Sequence, residues 1–182
     1  MRNILIMINP AEDIVNIWLQ DKYNHFTMSN IVVHKKTRNI NGKKVGGGRG
    51  KEIDFLSTNG KEYFWVEVSV SPNPRLPRKD IRSQEAINNA VGKFADEKMD
   101  AIYERFQVRN IKKWFVYSPK LFSRKSNEEA LYCAALREKG IEPISFALVL
   151  KETHDGINHM GYDVPRQYLF LLKKFGYILK SI

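Results

Sequence analysis

The chain has 182 residues, 30 Lys and Arg against 20 Asp and Glu, a formal net charge of +10 and one cysteine. That length suits a single domain burying on the order of 70% of its unfolded surface, while a lone Cys133 excludes an internal disulfide and any cysteine-built zinc site and suits a reducing cytosol. The apolar run Ile4 to Ile8 is too short for a signal peptide and stops at Asn9-Pro10, and no stretch reaches the length of a membrane span, so the expectation is a cytoplasmic protein with no membrane partner.

In chain order, Asn9-Pro10-Ala11-Glu12 opens a helix: Asn9 caps, Pro10 suits the first turn, and Glu12 falls where a capping-box acid belongs. Ile14, Val15, Ile17 and Trp18 give it a buried face up to about Tyr23. Ile31 to His34 reads as a strand leading into a basic, glycine-rich loop. Glu52 to Ser57 is a second strand, Thr58-Asn59-Gly60-Lys61 a hairpin turn, and Tyr63 to Ser71 a third strand. The segment Ser71 to Pro77 carries three prolines and cannot be regular structure.

From Asp80 to Phe106 the recurrence of Ile87, Val91, Phe94, Ile102 and Phe106 predicts one long amphipathic helix. Ile111 to Tyr117 returns as a strand, Ser126 to Lys139 is a helix ended by Gly140, and Ile144 to Leu150 reads as a continuous apolar strand. A polar loop with His154 and His159 then precedes a last helix from about Val164 to Phe175. No repeat, low-complexity tract or linker divides the chain. The expected fold is one α/β domain over residues 1–182, a central mixed sheet with helices on both faces.

A net charge of this size, with a pI near 9.6, attracts polyanions, nucleic acid first among them. The excess is uneven. Lys35, Lys36, Arg38, Lys43, Lys44, Arg49 and Lys51 stand together without an acid between them, and Arg75, Arg78, Lys79 and Arg82 are diluted only by Asp80. For either run the alternative is a solvated connector. The glycine cluster before Lys51 is not a phosphate-binding P-loop: Val45 stands where its first glycine belongs, Glu52 follows the lysine in place of Ser or Thr, and a strand follows instead of a helix.

The informative pair is Asp54 and Glu67. They lie at comparable distances from the Asn59-Gly60 turn on paired strands, each within an apolar stretch, and so fall near one another on one face. Two carboxylates about 4 Å apart repel by around 4 kcal/mol at an effective dielectric of 20. A divalent cation between them compensates, and oxygen ligands suit Mg2+ or Mn2+. The alternative is a buried salt bridge from each acid to a basic side chain. Glu52 is either a further ligand or an ion pair with Lys51 or Arg49. His154 and His159 lack helical i, i+4 spacing and a third partner, which argues against zinc. Trp65 and Trp114 read as core or sheet-covering residues, with stacking on a base as the alternative.

Gly-Arg49-Gly50-Lys51-Glu52-Ile53-Asp54-Phe55-Leu56, a short turn, then Phe64-Trp65-Val66-Glu67-Val68-Ser69-Val70-Ser71 resembles the core of the PD-(D/E)XK, or restriction-endonuclease-like, nucleases, including archaeal Holliday-junction resolvases. The resemblance covers roughly residues 9 to 118 and implies an αβββαβ core, here with a C-terminal helix-strand-helix extension. By position it implies that Asp54 is the first metal-binding aspartate, Glu67 the acid of the second half-motif, and Glu12 the extra glutamate of resolvase-like members. Glu12 is as well explained as a capping acid. The family's lysine, which orients the attacking water, is replaced by Ser69. Lys79, Lys93 and Lys51 are the candidates to supply it from elsewhere, and Ser69 with Ser71 shares a face with Glu67.

The resulting expectation is a Mg2+-dependent (or Mn2+-dependent) endonuclease hydrolysing DNA, double-stranded or branched, with a homodimer plausible because cutting two strands usually takes two sites. The competing expectation is a nuclease-derived module that binds nucleic acid without turnover. A third is a protein-binding or structural domain whose basic runs serve solubility.

Overall fold

A computed structural model of the chain describes residues 10–33, 38–40, 43–45, 51–70, 84–122, 127–158, 161 and 163–175. Helix α1 (Pro10–Tyr23) starts on Pro10, whose fixed φ suits the first turn and whose missing N–H leaves no donor unpaired. Glu12 and Asp13 lie at its positive end and Lys22 in its last turn.

Five strands form one mixed sheet in the order β1-β4-β5-β6-β7. Strand β1 (Phe26–Val33) runs antiparallel to β4 (Lys51–Thr58), and β4 antiparallel to β5 (Tyr63–Ser69). Strands β6 (Ile111–Tyr117) and β7 (Ile141–Ser145) extend the sheet in parallel. Parallel neighbours need a crossover. Helices α2 (Gln84–Gly92) and α3 (Asp96–Phe106) lie in the connection from β5 to β6, and α4 (Glu128–Glu138) in the connection from β6 to β7. Helices α5 (Phe146–Gly156) and α6 (Val164–Lys174) follow β7, while β2 (Arg38–Ile40) and β3 (Lys43–Val45) form a separate antiparallel ribbon. The expected αβββαβ order, with a mixed sheet flanked by helices, is present.

Alternation along β5 divides the core in two. Phe64, Val66 and Val68 join Val15, Trp18 and Leu19 of α1 and Val149 of α5. Trp65 points the other way, into a cluster with Ala90 of α2, Phe94, Ile102 of α3 and Leu136 of α4. Both faces of the sheet are therefore covered. The β4–β5 register, Thr58↔Tyr63 through Phe55↔Val66, is set by a four-residue loop. Asn59 Oδ1 accepts from the amides of Lys61 and Glu62 at 3.0 and 2.9 Å, and Gly60 takes φ +85°, a conformation without cost only for glycine.

Several expected elements differ. Strand β1 begins at Phe26 rather than Ile31. The single helix over residues 80–106 is two, interrupted at Lys93 to Ala95, although the apolar spacing runs on through the break. The apolar stretch from Ile144 to Leu150 is not a strand: β7 ends at Ser145, and Phe146 to Leu150 open α5. His154 accordingly lies buried within α5 instead of in a polar loop, while His159 is outside the described residues.

Candidate metal centre

The β4–β5 pairing ends at Phe55↔Val66, and Asp54 and Glu67 are the next residue of each strand. Both project to the side of the sheet covered by α2 and α3. Asp54 Oδ2 accepts from the Val68 amide at 2.7 Å, so this strand residue holds its carboxylate against the neighbouring strand, with 16% of the side chain exposed. Next to it, Asn30 on β1 has φ +55°, and the β1–β4 pairing skips the Asn30–Asp54 step. The irregularity falls at the level of the acid.

Glu67 is 1% exposed. Its Oε1 accepts from Trp65 Nε1 at 2.8 Å and from Lys98 Nζ at 2.7 Å. Its Oε2 is buried without a hydrogen-bond partner. Burial pushes the Glu67 pKa above the usual carboxylate value, and the neighbouring charge of Asp54 pushes it the same way; the hydrogen bonds from Lys98 and Trp65 and the charge of Lys98 pull against both. An acid in that setting gains from any cation that reaches its free oxygen.

One cation already stands near. Lys93, in the break between α2 and α3, places Nζ 3.7 Å from Glu67 Oε2 and 3.9 Å from Asp54 Oδ2. Those distances are ion-pair contacts but too long for hydrogen bonds. Lys93 is 37% exposed at its side chain, whereas Lys98 on α3 is 6% exposed and its ammonium lies 5.7 Å from the Trp65 ring centroid. The alternative considered from sequence, a salt bridge for each acid, is thus partly realised: Lys98 is bonded to Glu67, and Lys93 lies near both acids.

The residues suit a hard divalent cation. Two carboxylates face one place, one of their oxygens is orphaned, and Mg2+ is commonly held by one or two carboxylates with water and phosphate oxygens filling the rest. No set of three His, Cys, Asp or Glu side chains converges among the described residues. Glu12 is half-buried in the first turn of α1, whose buried residues pack on the other face of the sheet. Ser69 ends β5, exposed, two residues past Glu67. Glu52 is exposed on β4.

Of the basic residues expected to hold nucleic acid, Arg38 lies on β2, Lys43 and Lys44 on β3, and Lys51 opens β4. Lys35, Lys36, Arg49, Arg75, Arg78 and Lys79 fall outside the described residues. Among the three candidates for the missing motif lysine, Lys93 is the one with a described contact to the acids. The sequence carries a signal for Lys98 as well: it stands four residues after Phe94 and four before Ile102, a charge within the apolar stripe.

No family model matches the chain, and no curated protein matches it. Among solved structures it is similar to the crystal structure of the protein of unknown function AF1548, at 15% identity and a TM-score of 0.43, over 94% of this chain and 72% of that one. No helix among the described residues is long and apolar enough to cross a membrane.

Proposed function

We propose that the protein is a divalent-metal-dependent endonuclease that hydrolyses phosphodiester bonds of DNA, with Asp54 and Glu67 holding the ion. The observation that supports this best is the buried Glu67, which keeps Oε2 unpartnered beside Asp54 in an otherwise basic chain. An ion bound there, Mg2+ or Mn2+, supplies electrostatic stabilisation of the negative charge that develops on the phosphate. Trp65 and Lys98 fix the orientation of Glu67 by occupying Oε1. Lys93 takes the part of the lysine that Ser69 replaces, offering an ammonium to a phosphate oxygen. Basic residues of the 35–51 and 75–79 segments hold flanking phosphates without reading sequence.

The replacement by Ser69 favours a second reading, a nuclease-derived module that binds nucleic acid without cutting it. Incubation with supercoiled, linear, single-stranded and branched DNA in Mg2+ or Mn2+ separates the two. Asp54→Asn and Glu67→Gln are expected to cut about 100-fold more slowly than wild type, the scale on which removing a charge-stabilising group acts. Undiminished cutting by both variants would discard the site. Inert wild type that still binds DNA would leave the second reading.

A further inference from the structure

The two lysines at the acids differ in kind. Lys98 is buried, and its ammonium is hydrogen-bonded to Glu67 Oε1. It is a fixed counter-charge, and with Trp65 it consumes one oxygen of the acid permanently. Lys93 is tied differently: its side chain is over a third exposed, it comes from the break between two helices, and it approaches Oε2 of Glu67 and Oδ2 of Asp54 beyond hydrogen-bonding distance. Lys98 balances one of the two negative charges, and Lys93 faces the unpartnered Oε2 of Glu67 together with Oδ2 of Asp54, which already accepts from the Val68 amide.

We propose that Lys93 is an exchangeable counter-ion: its ammonium holds the place of the divalent cation in the free protein and swings to a phosphate oxygen when cation and nucleic acid bind. This rests on the metal site proposed above and adds an order of events to it. Two ionised acids beside a partly shielded surface repel each other, and a positive charge nearby offsets that repulsion. An ion bound at Oε2 and Asp54 would in turn repel the Lys93 ammonium. Lys93 can leave without abandoning a hydrogen bond to either acid and without leaving an apolar pocket, and Lys98 can do neither. The same residue therefore opposes the cation before binding and favours the phosphate after it.

The opposed effects give the test. Mn2+ binding, followed by the loss of the free-ion electron paramagnetic resonance signal without nucleic acid, is compared for wild type, Lys93→Met and Lys93→Arg. Lys93→Met is expected to bind Mn2+ roughly tenfold more tightly, since a competing positive charge is gone, and Lys93→Arg to stay close to wild type. In Ca2+, a short fluorescent DNA duplex should bind Lys93→Met about threefold or more weakly, one phosphate contact having been lost. Unchanged or weaker Mn2+ binding by Lys93→Met, with wild type binding normally, overturns the exchange and leaves the two-carboxylate site standing. An unchanged duplex affinity overturns the transfer to phosphate. Absence of Mn2+ binding in every form takes down the metal site itself, and the exchange with it.

Discussion

Glu67 carries an unusual load for a residue in the middle of a sheet. Its carboxylate is desolvated, faces Asp54, and depends on Lys98 and Trp65 for the hydrogen bonds to Oε1. A buried pair of this kind is poor evidence of net stabilisation, but breaking it from one side strands a charge. Lys98→Met is therefore expected to lower unfolding stability by about 3–5 kcal/mol in denaturant titration, less where Glu67 takes up a proton. Adding Glu67→Gln to it should recover part of that loss, because the charge left behind is removed as well. A loss below about 1 kcal/mol for Lys98→Met would mean that the pair is solvated and that the pocket is wetter than its burial implies.

At the level of elements, strands β4, β5 and β6 and helix α1 were legible because each carries its own signal: alternation or a short apolar run bounded by turn residues, and a proline at a helix start. The rest was obscured where two structures share one pattern. Phe146 to Leu150 is a short apolar run, and periodicity alone cannot separate a buried strand from a buried helix segment. Pro143 was a usable warning: a strand containing proline belongs at a sheet edge, where β7 lies. The α2–α3 break was hidden because Ile87, Val91, Phe94, Ile102 and Phe106 keep helical spacing across it, although Gly92 and the acidic pair Asp96 and Glu97 mark an end and a beginning.

Two glycines separate conformational need from composition. Gly140, between α4 and β7, has φ +71°, whereas Gly92 has no left-handed φ; neither would meet a neighbour on gaining a Cβ. Gly140→Ala is expected to cost about 1–2 kcal/mol in thermal or chemical unfolding from backbone strain alone. Gly92→Ala should stabilise by about 0.4–1 kcal/mol through the unfolded chain. Equal effects would show that the αL turn is not what ends α4.

Across the whole molecule, a mixed sheet covered on both faces leaves its acid pair one step beyond the last paired residues of β4 and β5, Phe55 and Val66, beside the break that delivers Lys93. Part of this site could be read in the sequence: Asp54 and Glu67 could be paired by counting from the Asn59-Gly60 turn. The lysines could not be chosen by counting, because Lys93 and Lys98 reach the acids through the packing of α2 and α3 on the sheet, a long-range relation that no local spacing encodes. The charge of +10 works at another range, favouring encounter with a polyanion over the whole surface rather than chemistry at one place.

The most direct test of the central claim is crystallographic. Crystals grown with Mn2+ and measured at a wavelength where manganese scatters anomalously are predicted to show a peak within about 2.5 Å of carboxylate oxygens of both Asp54 and Glu67, with the Lys93 ammonium displaced. A map without a peak there, and with Lys93 still between the two acids, would contradict the account.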